Sequence, residues 1–151
     1  YLMVVTTTLS IYYLPRLSEI TLKTEIRKEL LQGYKIIMPI VVVMAAMIFV
    51  LKDFIIHFLF TADFMVMREL FLFQLAGDVM KLAAWLLSYL MIAKAMTKTF
   101  IVTEILFSLS FVVLSIVFVN EYGLIGMSYS FALNYTIYFC VIIAVTQQYW
   151  R

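Results

Sequence analysis

An acid and an amine three residues apart sit inside an otherwise apolar run. The stretch FQLAGDVMKLAAWLLSY, residues 73–89, carries Asp78 and Lys81. Residues at this spacing share one face of a helix. At about 100° per residue, Gln74, Asp78, Lys81, Trp85, Ser88 and Tyr89 fall on a single stripe, with Leu, Phe, Val, Met and Ala opposite. The chemistry available there is proton or cation exchange at the carboxylate and attraction of a phosphate by the ammonium. Lipid supplies no hydrogen bonds, so a polar stripe on a membrane helix is expected to face water, substrate or another helix. Two readings stand side by side. In one, Asp78 and Lys81 form an ion pair that locks this helix to its neighbours. In the other, favoured here, they line an aqueous path.

Other polar residues in apolar surroundings invite the same question. Glu104 lies about one turn into the next apolar run and shares a face with Thr97, Ser108, Phe111 and Ser115. It is expected either to stay wet at the interface or to reach Lys81, Lys94 or Lys98. Lys94 and Lys98 are expected to extend to lipid headgroups. Ser130, Asn134 and Tyr138 lie roughly on one face and suit helix–helix hydrogen bonds. His57 and the Met-rich stretches read as packing. One histidine and one cysteine, Cys140, leave no cysteine metal site, histidine cluster or disulfide framework. A lone histidine without a neighbouring nucleophile makes no catalytic triad. Asp78 and Glu104 are not an evident metal-binding carboxylate pair. No enzyme activity and no metal are expected.

The elements that position these residues follow from composition. The chain has 151 residues, 66% of them hydrophobic, and only 13% are charged. A bilayer core takes about 20 apolar residues per helix. The chain therefore reads as all-α, a polytopic transmembrane bundle of about four and a half spans, in one membrane domain covering 1–151. The expected spans are about 1–14, 36–53, 70–93, 99–119 and 124–145. Pro15 is expected to end the first helix. Residues 16–35 read as a short amphipathic surface helix, ended by Gly33. The segment 54–67, interrupted by Asp63, reads as interfacial or re-entrant. Residues 120–123 read as a turn, and the close, Tyr149–Trp150–Arg151, as an aromatic and basic edge. The net charge of +2 comes from dispersed residues and gives no nucleic-acid footprint. Tyr1 opens inside an apolar stretch with no basic region before it, so the chain reads as a piece of a longer membrane protein and not as a signal peptide.

Lysine and arginine counts orient the spans. The segment 16–35 holds five, the turn 94–98 two and the C-terminus one, against Lys52 and Arg68 on the other side. The first three segments are therefore expected in the cytoplasm, and 52–68 and 120–123 outside.

The runs YLPRL (13–17), LKDF (51–54), FQLAGDVMK (73–81) and YLMIAKA (89–95) resemble the C-terminal part of bacterial lipid-linked oligosaccharide flippases. These are the Wzx-type O-antigen translocases and the lipid III flippases of enterobacterial common antigen, in the polysaccharide-exporter branch of the MATE-like superfamily. The resemblance covers nearly the whole chain, and Gly77-Asp78-x-x-Lys81 is its most specific part. It implies about twelve helices in two bundles around a cavity, of which this chain holds the end of the eighth and the last four. It implies an inner-membrane protein with a cytoplasmic C-terminus that moves a polyprenyl-diphosphate-linked oligosaccharide outward by alternating access. The partners implied are that glycan lipid, membrane lipids and the N-terminal part of the same transporter. No cofactor is implied beyond a coupling proton or sodium ion, for which Asp78 is the candidate. Lys81 would offset diphosphate charge, Trp85 and Tyr89 would stack on sugar faces, and Gln74 and Glu104 would complete the cavity set. The alternatives are a MATE-like drug/cation antiporter, which needs acidic and aromatic groups more than a lysine, and a structural subunit of a membrane complex. A membrane glycan polymerase or ligase would need large outward loops, which the apolar 52–68 segment disfavours.

Overall fold

A computed structural model describes residues 2–59 and 67–150. Among them are five helices: α1 (Leu2–Glu19), α2 (Lys23–Leu59), α3 (Met67–Ala93), α4 (Thr97–Tyr122) and α5 (Leu124–Trp150). Four of these, all but α1, are long and apolar enough to cross a membrane. The all-α bundle expected from composition is what the chain forms.

The helices run further than local breakers suggest. Pro15 lies inside α1, one turn before its end. A membrane helix tolerates the lost N–H because other groups re-satisfy the backbone. The residues after it are held by local bonds: Ser18 Oγ donates to the Pro15 carbonyl at 2.6 Å, and Arg16 donates to the Tyr12 hydroxyl at 2.9 Å. Residues 16–35 are not a separate surface helix. From Lys23 onward they belong to α2, which passes through Gly33 and Pro39 without a break. Gly33 is a crossing point, not a stop. A Cβ there would stand 2.6 Å from the Tyr13 hydroxyl of α1. The hairpin of α1 and α2 is closed by an ion pair, Arg16 Nε to Glu29 Oε1 at 2.7 Å.

Residues 54–59 also correct the reading of an interfacial segment, because α2 continues through them to Leu59. The remainder of that proposed segment, including Asp63, lies mostly in 60–66, outside the described residues. Lys52 stays within the helix with its ammonium 3.7 Å from the Phe49 ring centroid. The expected turn at 120–123 shrinks to Gly123 alone, since Asn120, Glu121 and Tyr122 complete α4.

α3 lies at the centre and touches all four other helices, packing most extensively on α5. Its buried Leu82, Ala84, Leu86, Leu87, Leu90 and Met91 share a core with Leu17, Ile26, Leu30 and Val41 of α1 and α2 and with Tyr138 and Ile142 of α5. α4 is the opposite case. Thr103 is its one buried residue, while Ile105, Leu109, Val113 and Ile116 are exposed. An apolar exterior of this extent suits hydrocarbon, not water.

Three ends of the chain meet at one end of the bundle. Lys94 Nζ donates to the Ile20 carbonyl just beyond α1. Gln148 Nε2 lies 4.0 Å from the Met96 sulfur. The basic segment 16–35, the turn at 94–98 and the close of α5 therefore share one side.

Candidate functional site

The site grows from the glycine of Gly77-Asp78-x-x-Lys81. Gly77 is buried where α3 meets α5, and a Cβ on it would stand 3.2 Å from the Ala132 Cα and 2.3 Å from Cδ1 of the Phe131 ring. The missing side chain lets α5 approach closely, as small residues do at membrane helix crossings. That approach sets Phe131 and Tyr135, one turn apart on α5, beside Lys81.

Lys81 is half-buried and enclosed by aromatic rings. Its Nζ stands 4.8 Å from the Tyr135 centroid, 5.6 Å from Trp85 and 5.7 Å from Phe131. Cation–π attraction reaches about 2 kcal/mol or more where water is excluded. Asp78 is half-buried one turn earlier on the same helix, but it forms no ion pair with Lys81 within 4.0 Å among the described residues. The expected alternative of a direct clasp is thus not the arrangement found.

The stripe read from the sequence divides. Gln74 is exposed, and Asp78, Lys81 and Trp85 are half-buried. Ser88 leaves it: it is buried, and its hydroxyl lies 3.0 Å from that of Tyr138 on α5. Tyr89 turns to Ser10 of α1.

Glu104 forms a second cluster. Tyr138 donates its hydroxyl to Glu104 Oε1, so Ser88, Tyr138 and Glu104 join α3, α5 and α4 in one chain of bonds. Glu104 makes no ion pair within 4.0 Å with Lys81, Lys94 or Lys98 among the described residues, which corrects that expectation. A tyrosine in reach won over more distant lysines. Lys94 likewise serves the Ile20 carbonyl, whereas Lys98 is exposed. The two clusters touch through α5, where the Tyr135 and Tyr138 rings lie 6.1 Å apart.

Below Tyr138 the seam of α4 and α5 continues as the sequence suggests. Asn134 Nδ2 donates to the Phe107 carbonyl at 3.2 Å, and Ser130 and Ser115 hydroxyls meet at 3.0 Å. Phe131 and Tyr135 are the site residues that sequence reading misses. Their four-residue spacing and shared face with Tyr138 are signals, but neither says which cation they meet. His57 lies within α2. Among the described residues no cluster of three or more His, Cys, Asp or Glu could hold a metal.

Four helices fit to cross a membrane, with a charged amine enclosed by rings between two of them, define a multi-pass membrane protein. Over 139 residues the chain is 34% identical to the lipid III flippase of Escherichia coli K12, and to the same extent to that of Shigella flexneri. The match takes in 92% of this chain and 33% of each flippase, so the chain spans about a third of the length of these curated relatives. Over that third it is similar to the lipid III flippases. These relatives are, by name, transporters and not enzymes. No family model matches the chain, and no solved structure does.

Proposed function

We propose that this chain forms part of a flippase that moves a polyprenyl-diphosphate-linked oligosaccharide from the cytoplasmic to the periplasmic leaflet of the inner membrane. The glycan would serve surface polysaccharide assembly of the O-antigen or common-antigen kind. The observation that carries this reading is Lys81, a lysine in the apolar layer set among three rings, with no carboxylate within 4.0 Å among the described residues. A sugar–diphosphate head cannot enter hydrocarbon unaided. A half-buried ammonium with no direct ion pair can offset phosphate charge without first breaking a salt bridge. The Trp85 and Tyr135 rings offer flat faces for sugars beside it, and the prenyl tail stays in lipid through a lateral opening. Gln74 and Asp78 extend the polar surface, and Asp78 is the group to exchange a proton or sodium ion during alternating access. Tyr89 and Glu104 act from neighbouring helix contacts in this reading.

The test is surface glycan display in cells that depend on the full-length protein. Lys81→Ala and Asp78→Asn should each abolish display while membrane levels of the protein stay unchanged. Normal display in both variants removes the assignment. Lost resistance to toxic cations or dyes with glycan display intact would instead mark a drug antiporter. Dissipating the proton or the sodium gradient separately identifies the coupling ion.

A further inference from the structure

A lateral cleft lies between α2, α3 and α5, away from the Lys81 cluster. Its volume is about 230 Å³. Leu30 and Leu87, both nearly fully buried, form its floor, and Leu31, Tyr34 and Phe139 form its walls. Tyr34 makes no polar demand on an occupant, because its hydroxyl is already donated to the Ala83 carbonyl. One charge stands at the cleft, Arg27, exposed near the start of α2. Among the described residues it has no ion pair within 4.0 Å. Its neighbour Lys28 faces a different pocket, toward the end of α1.

The cleft is therefore polarised along its length. Arg27 lies one turn from Leu30 and Leu31, and Tyr34 lies roughly 10 Å further along the helix axis. A positive group at one end and a hydrocarbon wall below it match an anionic phosphate head with an acyl chain beneath. A guanidinium pairs well with a single phosphate through two parallel hydrogen bonds. One cation suits the single charge of a phosphodiester better than the multiple charges of a diphosphate. We propose that this cleft is a binding site for one anionic phospholipid, its phosphate on Arg27 and one acyl chain lying along Leu30, Leu31, Tyr34 and Phe139. The site does not depend on the transport reading above.

The test is native mass spectrometry of the purified full-length protein, with dioleoyl phosphatidylglycerol and dioleoyl phosphatidylcholine as probes. Wild type should retain phosphatidylglycerol about five-fold better, the effect of one basic residue on an anionic head. Arg27→Gln should abolish the preference and Arg27→Lys should keep most of it. Leu31→Trp, on the exposed rim, should fill the cleft and lower retention of both lipids. Helix content by circular dichroism checks that each variant is folded. Equal retention by wild type, a preference that survives Arg27→Gln, or displacement of phosphatidylglycerol by a polyprenyl diphosphate would each overturn the proposal.

Discussion

Lys81 holds a charge in the apolar layer by an unusual set of partners for a membrane lysine. Insertion of a lysine at the centre of a membrane helix costs roughly 2.5–3.5 kcal/mol. Rings from Trp85, Phe131 and Tyr135 return an amount of the same order. Glu104 uses the other solution, a donated hydroxyl from Tyr138 backed by Ser88. Tyr138→Phe takes the hydroxyl donor from Glu104 Oε1, while Ser88 keeps its bond to the Ala84 carbonyl, and should lower stability by about 1 kcal/mol. Adding Glu104→Leu should recover part of that loss, since removing both partners is milder than removing one. Thermal unfolding of the single and double variants in detergent measures this, and a double variant no more stable than Tyr138→Phe alone would contradict it. The identity of the important ionisable residues was legible in the sequence because charges in apolar runs are rare. Their partners were not, because Phe131 and Tyr135 lie some fifty residues from Lys81, and Tyr138 lies 34 from Glu104, and they approach only in three dimensions.

At the scale of elements, glycine and proline meant something other than termination. Pro15 and Gly33 stand within helices that continue through them. Gly33 and Gly77 instead mark where helices touch, α1 against α2 and α3 against α5. Gly77→Val should push α5 away and open the ring enclosure of Lys81. Cysteines at Ala76 and Ala132, in a Cys140→Ala background, should then crosslink more slowly than in the parent with Gly77. Unchanged crosslinking would show that the crossing tolerates a side chain. Most span centres followed from hydrophobic runs alone, but the helix number did not, because residues read as a separate surface helix belong to α1 and α2. The boundaries moved because a run of charged residues, such as 23–35, can be the wet end of a long helix as readily as a surface helix of its own.

Across the whole molecule, the basic segment 16–35, the turn at 94–98 and the end of α5 gather at one side, tied by Lys94 to Ile20 and by Gln148 to Met96. Basic residues retained on one side orient a membrane protein toward the cytoplasm. A reporter fused after Arg151 should thus act in the cytoplasm. A cysteine replacing exposed Tyr122, in the Cys140→Ala background, should react with an impermeant thiol reagent added outside whole cells. The reverse pattern would invert the topology. α4 is attached chiefly to α5 and buries one residue, so most of its apolar surface is offered to lipid or to other protein.

The amino-acid order alone determined that this chain is a helical membrane bundle and which few ionisable groups lie within its apolar runs. Those properties depend on the solvation of each residue and on its near neighbours, and hydrocarbon penalises the wrong residue wherever the chain folds. Only the tertiary structure decided that Lys81 is ringed by Phe131 and Tyr135 of α5, that Glu104 meets Tyr138, and that Arg27 heads an apolar cleft. Each of these rests on the crossing of two helices distant in sequence, where close packing selects one partner among several that local spacing allows.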